Sequence, residues 1–484
     1  MDRRELLGWL AGLGSTGLAG CGGRPRRPRR TATAEGPTDP PADPIGPADD
    51  LQRHRSRIRS ADPATVAAAW GLDGVADFGA LGADADDKPI DDLLERHATD
   101  GTLLYLPPGD YRIEETFTVS DGGRVGILGD GATIVPPDGF DSAVLGLGYP
   151  EPLTELFVRG LTFDYRTENT GGRPILGVAD EKVVFRDLAV GGVADVPEDL
   201  VRLDVTSSDG VGIVDGLSLP DGSTIPGVTG CEVGDDNHGD VSFFDCHIAG
   251  FPDNGLYADP PEGAIGVYGG DFRNNGVANV RITTPDPSVV RGVRVRCDED
   301  DAVGENMRGI RLRGGSGHVV EDCTVEMAAV TSSDGAITFA SELESATVRN
   351  CRLHVDADGV NAVRVKSPNR GATAATRNGP FRFENLCITG SAAGGAAVDA
   401  SGRDGCSFRN IQIHQSGDDR DGIVTSNVGG EIVDAVVAVT SDALALSDSE
   451  IDRRNVRVKR RSATQRCCPD SVVGRHPGLP GRPR

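Results

Sequence analysis

Aromatic residues, lysine and long apolar runs are all scarce in this chain of 484 residues. Aromatic residues make up only 5% of it, which argues against a thick globular core built around large rings and favours thin layers of small aliphatic side chains. Beyond the N-terminal region no run of about twenty apolar residues occurs, which excludes a transmembrane helix there. Glycine and proline are abundant, at 66 and 30 residues, and they predict frequent turns.

Lysine is the rarer cation by far, with four lysines among the 49 basic residues, and the formal net charge is −25. The charge is uneven. The first 30 residues carry +5 and residues 453–484 carry +9, which leaves −39 for residues 31–452. A surface this acidic keeps a protein soluble at high salt and repels phosphate backbones. We therefore expect no nucleic-acid partner for the folded body.

One sequence pattern is repeated between Phe157 and Thr440: an apolar pair, then an Asn, Asp or Gly, and then alternating apolar residues. The Asn, Asp or Gly falls at Gly160, Asp187, Asp245, Asp271, Gly292, Asp322, Asn350, Asn385, Asn410 and Asp434. A short period with strand-like alternation is typical of a solenoid, and Asn and Asp tolerate the left-handed backbone of its tight turns. We predict an all-β fold, a right-handed parallel β-helix, with an N-terminal helical cap.

The cysteines contain no Cys-x-x-Cys pair, which argues against a zinc site of that kind. Cys246, Cys323 and Cys351 each directly follow the Asp or Asn of the repeat. The alternation turns these three side chains inward, where they would act as small apolar fillers. Because export permits disulfides, a bridge between Cys323 and Cys351 in adjacent coils is the alternative.

The N-terminus resembles a twin-arginine lipoprotein signal, with Arg3-Arg4, a short apolar run and Leu18-Ala19-Gly20-Cys21. The resemblance implies export, with Cys21 lipidated and anchored at the outer face of the cytoplasmic membrane or outside the cell. Composition then divides the chain. We predict a signal over 1–21, a disordered tether over 22–60, the cap and first coils over 61–135, β-helix repeats over 136–452 and a disordered basic tail over 453–484.

The cap carries the most specific resemblance. Asp77-Phe78-Gly79-Ala80, an acidic turn, a helical stretch over 91–98 and Leu106-Pro107-Pro108-Gly109-Asp110-Tyr111 resemble the N-terminal segment of the pectate-lyase-like superfamily. The span 60–440 also resembles secreted right-handed β-helix proteins of haloarchaea, through Asn237-His238-Gly239, the stretch 250–257 and the stretch 272–276. That superfamily includes polysaccharide lyases, glycoside hydrolases and non-catalytic surface proteins, so the resemblance leaves the activity open.

The densest polar cluster runs from Asp235 to Arg281. An interval of 26 residues predicts that Asp245 stacks on Asp271 and Asp253 on Asn279. A lyase needs a cation to stabilise the developing charge and an acid or base to move a proton. The candidate catalytic residues are Asp253, Arg281, His238 and Tyr257, and the candidate substrate-binding residues are Asp235, Asp236, Asn254 and Asn275.

Two alternatives remain for this cluster. A glycoside hydrolase would instead pair Asp253 with Asp235, Asp236 or Asp240. The second alternative is structural, since Asn and Asp-Asn-Gly are also ordinary turn residues.

The acidic runs at 298–301 and 418–421 offer oxygen atoms to calcium but lack the spacing of a known calcium loop. We therefore predict no metal site and no cofactor, with Ca²⁺ as the one open option. Taken together, the sequence predicts an exported, surface-anchored β-helix lipoprotein that is a monomer. It would recognise a polysaccharide or surface glycan and, as a lyase or hydrolase, would also cleave it. A non-catalytic cell-surface binding or scaffold protein is the alternative.

Overall fold

A computed structural model describes residues 62–83, 88–120, 122–300, 304–369 and 378–459. The predicted signal with Cys21, the predicted tether and residues 460–484 of the predicted tail lie outside these ranges. Across the described ranges, no helix has the length and apolar character needed to cross a bilayer.

Two short helices precede the repeats, α1 (Pro63–Ala69) and α2 (Asp91–His97). Helix α2 lies in the stretch that the sequence predicted to be helical, and it inserts Leu94 into the core, as expected of a cap helix. Helix α1 was not predicted. It begins where the Asp62 carboxylate accepts a hydrogen bond from the Thr65 amide. The residue that follows α1, Trp70, stacks on Phe157 with 4.4 Å between ring centroids. This contact places α1 against the outer face of the first coils.

Strands form almost all of the remaining described structure. In chain order they are β1 (Gly74–Asp77), β2 (Thr102–Leu106), β3 (Gly109–Arg112), β4 (Phe117–Val119), β5 (Arg124–Val135), β6 (Leu145–Leu147), β7 (Leu153–Asp164), β8 (Ile175–Arg186), β9 (Ala189–Gly191), β10 (Val201–Val205), β11 (Val211–Asp215), β12 (Ser218–Leu219) and β13 (Cys231–Val233). They continue as β14 (Asp240–Phe244), β15 (His247–Ala249), β16 (Asn254–Ala258), β17 (Ile265–Tyr268), β18 (Asp271–Arg273), β19 (Ala278–Thr283), β20 (Val289–Arg291), β21 (Arg294–Asp298), β22 (Arg308–Gly314), β23 (Ser316–Glu321), β24 (Thr324–Ala329) and β25 (Gly335–Phe339). The last are β26 (Ser345–Arg349), β27 (Arg352–Val355), β28 (Asn361–Val365), β29 (Phe381–Gly390), β30 (Ala396–Ser401), β31 (Cys406–Gln415), β32 (Asp421–Ser426), β33 (Gly429–Val433), β34 (Val436–Ala438), β35 (Leu444–Ser447), β36 (Glu450–Arg454) and β37 (Arg457–Val458).

The strands pair in parallel from coil to coil. In the middle of the chain each strand bonds to the third strand after it, as β13 does with β16 and β16 with β19. Three strands therefore make one coil, and the described residues wind through about 13 turns. This confirms the predicted fold class, a parallel β-helix. The pairing of β33 with β36 and of β34 with β37 carries the coils past residue 452, where the sequence analysis ended them.

The interior is a stack of inward side chains at matching positions. One such column contains Val233, Ala258, Ile282, Leu312, Phe339 and Val365, and each of these is at most 1% exposed. Cys246, Cys323 and Cys351 are buried and free of disulfides, which confirms their prediction as inward fillers. Burial raises the pKa of Cys246 to about 12, so this thiol is unreactive at neutral pH.

The repeated Asn, Asp or Gly marks a turn with left-handed backbone. Positive φ is observed at Gly160, Asp187, Asp245, Gly292, Asp322, Asn350, Asn385, Asn410 and Asp434, as the repeat predicts. Part of the turn is tied by side-chain amides, since Asn385 Nδ2 donates to Asn350 Oδ1 at 3.0 Å and Asn410 Nδ2 to Asn385 Oδ1 at 2.8 Å. The turn residues therefore stack from one coil to the next.

One position of the repeat was assigned wrongly. The turn after Asp245 is made by Gly269 (φ 67°), whereas Asp271 lies in β18 and pairs with His247. Gly269 and Gly270 adopt positive φ without steric cost, so no Asn or Asp marks the turn. The interval is therefore 24 residues, and the predicted stacking of Asp245 on Asp271 is wrong. Because Asn254 pairs with Ala278, Asp253 does not stack on Asn279 either.

Candidate functional site

The candidate site lies on one sheet of the solenoid, made of β10, β13, β16, β19, β22, β25, β28 and β30, which we call the site sheet. Strand alternation points one residue of each strand outward at the same register. These residues form the outward row: Arg202, Glu232, Tyr257, Arg281, Arg311, Thr338, Arg364 and Asp399. Neighbouring members sit on strands about 4.8 Å apart. Arg202 and Thr338 are buried, and the partly exposed members can contact an extended ligand that runs along the solenoid axis.

Tyr257 and Arg281 form the centre of the row. The Arg281 guanidinium lies over the Tyr257 ring, 4.2 Å from its centroid, and Arg281 Nη2 donates to Tyr257 Oη at 3.5 Å. Tyr257 Oη in turn donates to Asp259 Oδ2 at 2.5 Å. Burial raises the pKa of Tyr257, Arg281 opposes the shift and the bond to Asp259 adds to it. Tyr257 therefore keeps its phenolic proton at neutral pH and is a weaker acid than an ordinary tyrosine.

Asp253 lies just before β16 and is half-buried. Its Oδ2 accepts a hydrogen bond from Thr229 Oγ1 at 3.4 Å. Burial raises the pKa of this carboxyl, although the positive charges of Arg281 and Arg311 act in the opposite direction. Since a raised pKa means a higher proton affinity, Asp253 is a better proton acceptor than an ordinary exposed aspartate.

Arg311 is one of the residues of the site that were not predicted from the sequence. Burial lowers its pKa to about 10, and the neighbouring cations Arg308, Arg281 and Arg313 push it the same way. No salt bridge to Arg311 is present in the described part of the chain, whereas Arg308 bonds to Asp334 at 2.5 Å. A half-buried guanidinium among like charges favours an anionic ligand, since the ligand would relieve their repulsion. Only the strand register could have revealed it, because it pairs with Arg281 from 30 residues away.

Asp235 and Asp236 lie at the opposite end of the site and are mostly exposed. Both carboxylates face the buried Arg202, whose Nη2 is 3.3 Å from Asp235 Oδ1 and 3.4 Å from Asp236 Oδ2. Arg202 Nε also bonds to Asp204 Oδ2 at 2.7 Å. The sequence analysis did not include Arg202, which holds this acidic end in place.

The structure brings Tyr257 and Arg281 into contact. Asp253 lies in the turn four residues before Tyr257, where the charge of Arg281 acts on its carboxyl, but within the described residues no hydrogen bond or ion pair joins it to either side chain. His238 lies in the corner that follows β13, with its Nδ1 3.6 Å from Glu262 Oε2. Among the described residues, no hydrogen bond or ion pair joins it to Tyr257 or Arg281. The backbone amide of His238 donates to the Val205 carbonyl at 2.7 Å, and its catalytic role stays a prediction.

Asn254 and Asn275 are fully buried and offer no surface to a substrate. Asn275 Oδ1 accepts from the Phe251 amide at 3.0 Å. Its Nδ2 donates to the Ile248 carbonyl at 3.0 Å and to Asn279 Oδ1 at 2.9 Å. These contacts make Asn275 a corner residue of the solenoid. Within the described part of the chain, the side-chain oxygen and nitrogen of Asn254 are buried without a hydrogen-bond partner, so this structure gives Asn275 a structural role and assigns none to Asn254.

The structure does not bring together the carboxylate pairs that the sequence predicted for a hydrolase. Asp240 begins β14, on a different sheet of the coil, and its Oδ1 accepts from the Ala264 amide at 2.8 Å. Asp235 and Asp236 are held by Arg202. Asp253 therefore has no clear second carboxylate among those that the sequence analysis proposed.

The two acidic runs also engage protein partners. Asp298 bonds to Arg273 at 2.9 Å, and the Arg420 of the second run is fully buried. Within the described residues, no group of three or more His, Cys, Asp or Glu side chains is arranged to hold a metal ion.

Comparisons with known proteins give distant likenesses. No family model matches the chain. A segment of 111 residues is 35% identical to mannuronan C5-epimerase AlgE1 of Azotobacter vinelandii, and this match covers 20% of the chain and 8% of that protein. The chain thus spans a small fraction of the length of the curated relative that it matches.

Solved structures resemble it at low identity. PfbA, a surface adhesin of Streptococcus pneumoniae, is 12% identical with a TM-score of 0.46, over 79% of this chain and 93% of that one. The A-module of Azotobacter vinelandii mannuronan C-5 epimerase AlgE6 is 16% identical with a TM-score of 0.29, over 80% and 98%. These likenesses assign no activity to the chain.

Proposed function

We propose that this protein binds a uronate-containing polysaccharide along the outward row and moves the proton at C5 of one uronate. The observation that carries the proposal is the register of Arg281 and Arg311 on neighbouring strands, with Arg281 over the Tyr257 ring and with both positive charges acting on the carboxyl of Asp253 in the preceding turn. The segment shared with a protein named as a mannuronan C5-epimerase supports the same substrate class, since mannuronan is a polymer of uronates.

The two arginines would bind the carboxylate of the reacting uronate. A C5–H bond next to a carboxylate is a very weak acid, because its loss places a second negative charge beside the first. Arg281 and Arg311 would neutralise that charge as it forms. Asp253 would take the proton, and its raised pKa suits that role.

Tyr257 would supply the proton that completes the reaction. If its proton goes to C5 from the opposite face, the product is the C5 epimer and the chain stays intact. If its proton goes to the leaving glycosidic oxygen at C4, the C4–O bond breaks and a C4=C5 double bond forms. In both routes Asp253 ends protonated and Tyr257 ends as a phenolate, and solvent restores both. Asp259, bonded to Tyr257 Oη, would hold the phenol in place.

A three-channel assay tests this function. The protein is incubated with mannuronan, guluronan and polygalacturonate, and unsaturated uronides, reducing ends and the C5 configuration are followed together. Unsaturated uronides identify a lyase, inverted C5 centres identify an epimerase, and reducing ends alone identify a hydrolase. We expect Tyr257→Phe and Arg281→Gln each to lose about 100-fold or more in rate. The control Arg409→Gln changes an exposed arginine on β31, away from the site, and keeps full activity.

A non-catalytic surface protein is the second candidate. It is favoured by the contacts among Arg281, Tyr257 and Asp259, which engage the Tyr257 hydroxyl without a substrate. Polysaccharide binding with silence in all three channels, by protein shown to be folded, would establish this candidate and remove the catalytic one.

We also propose export and anchoring through a lipid on Cys21. The proposal rests on the sequence resemblance described above. Mass spectrometry of the protein from its native membrane tests it, since Cys21→Ser should remove the lipid and release the protein from the membrane fraction. An unmodified Cys21 in membrane-bound wild type contradicts it.

A further inference from the structure

We infer that the site accepts the acidic polymer on one side only, so that it acts at the end of a block of uronates. The inference rests on the proposed function and deepens it. The observation behind it is that the charge of the side chains in and around the outward row changes sign at Tyr257, from an acidic half toward the N-terminus to a basic half toward the C-terminus.

The basic half extends over β19, β22 and β28. Its side chains are Arg281, Arg308, Arg311, Arg313, Arg364 and Lys366, opposed by Asp334, Glu342 and Asp399. Six cations thus face three carboxylates, on a chain whose formal net charge is −25. Arg308 and Lys366 share the single carboxylate of Asp334, at 2.5 and 2.7 Å. This half retains positive charge after its ion pairs are counted.

The acidic half extends over the coils of β10, β13 and β16. Its carboxyl groups are Glu198, Asp199, Asp204, Glu232, Asp235, Asp236, Asp253 and Asp259, and its cations are Arg173 and Arg202. Arg173 lies 3.7 Å from Glu232. Burial raises the pKa of both Glu198 and Asp199, and each is further raised by a neighbouring carboxylate. This half repels anions.

A uronate polymer therefore has one favourable direction on the row. With the carboxylate of its reacting unit on Arg281 and Arg311, its remaining charged units can continue toward Arg364, which lies two coils beyond Arg311. A charged unit on the other side would meet Glu232, and next to it the pair held by Arg202, where like charges disfavour it. The sugar on that side must then be uncharged or absent. The reacting unit is the last charged unit of its block.

Binding of labelled oligouronates tests the inference without requiring turnover. Fluorescence anisotropy is measured with mannuronate oligomers of increasing length at low ionic strength, where exposed charges are not screened. We expect the affinity to rise with length until the oligomer covers the coils from β16 to β28, and then to level off. The double variant Arg364→Gln/Lys366→Gln should bind long oligomers about three- to tenfold more weakly. Arg409→Gln, the control, should bind as wild type does.

Removing negative charge from the acidic half should strengthen the binding of long oligomers. Asp235→Asn/Asp236→Asn changes two exposed side chains and should let long oligomers bind about threefold or more tightly, because units beyond Tyr257 are no longer repelled. The matched control is Asp418→Asn/Asp419→Asn, an exposed acidic pair in a distant turn, which should change nothing. Oligouronate binding that is insensitive to both site variants overturns the inference but leaves the proposed function standing. Absence of binding to any oligouronate by folded wild type overturns both.

Discussion

Arg403 should be among the most damaging positions to truncate, although it takes no part in the proposed chemistry. Its side chain is fully buried, and its guanidinium donates to four backbone carbonyls. Nε bonds to Lys366 O at 2.8 Å and Nη1 to Leu343 O at 3.0 Å, while Nη2 bonds to Ala340 O at 3.1 Å and Ser341 O at 3.3 Å. It therefore ties together loops of three successive coils, those that follow β25, β28 and β30.

Arg403→Ala would remove four hydrogen bonds from a charged donor and open a cavity, although the Ala340 and Ser341 carbonyls keep backbone donors from Leu343 and Asn369. Each hydrogen bond from a charged donor is worth about 1.5–3 kcal/mol, but such values do not add, and removing one partner from a buried charged network costs about 3–5 kcal/mol. We therefore expect a loss of about 4 kcal/mol in the free energy of unfolding. Arg403→Lys keeps the charge but cannot reach all four acceptors, so it should lose roughly half as much.

Urea unfolding combined with hydrogen exchange measures this effect. Because coils interact mainly with their neighbours, exchange should accelerate most at β25, β28 and β30. Arg409→Ala, an exposed arginine on β31, is the control and should lose less than about 1 kcal/mol. If Arg403→Ala also lost less than about 1 kcal/mol, the four carbonyls would not depend on this side chain and the reasoning would fail.

Three further predictions concern pH and the turn residues. Burial acts to raise the pKa of Glu321, but its hydrogen bonds with two flanking arginines outweigh burial and lower the pKa. The resulting stabilisation is present above the unfolded pKa of about 4.3 and is lost as pH falls through the lower folded pKa. The stability difference between wild type and Glu321→Gln should therefore vanish in acid, and a difference that stays constant with pH in urea unfolding contradicts this. Asn385→Ala removes the side-chain amide that bonds to both Asn350 and Asn410, at a residue with positive φ. It should lower the free energy of unfolding by about 1–2 kcal/mol in the same urea assay. An unchanged urea midpoint would show that the stacked turn amides do not stabilise the fold. Asp253 must be ionised to accept a proton, and its pKa is raised, so the rate should fall in acid at a pH above the pKa of an ordinary aspartate. In Arg281→Gln the residual rate should fall at a still higher pH. A fall at the pKa of an ordinary aspartate refutes the assignment of Asp253 as the base.

The architecture was predictable from the sequence because it depends on local signals. Strand alternation and a turn residue such as Asn350 recur in each coil, and both have direct physical causes in the pleat and in left-handed backbone. The prediction failed where the signal is degenerate. Gly269 and Asp271 both fit the repeat, and only the observed pairing of Asp271 with His247 identifies Gly269 as the turn.

The site was predictable only in part, because it depends on register between coils. Asp253, Tyr257 and Arg281 were found as polar residues close together in sequence. Arg311 was missed because its coil is longer than the one before, and an error of two residues in the interval moves every side chain away from its true neighbour. His238 was included because it is close in sequence, but the corner of the coil separates it from the others.

The most direct test of the central claim uses oligouronates that carry deuterium at C5. Both the epimerase and the lyase routes predict that the protein releases this deuterium to water, with a slower rate than for the unlabelled substrate, and that Arg281→Gln abolishes the release. A chain that is cleaved with the deuterium retained at C5, or a folded protein that releases none from any uronate oligomer, would contradict the account.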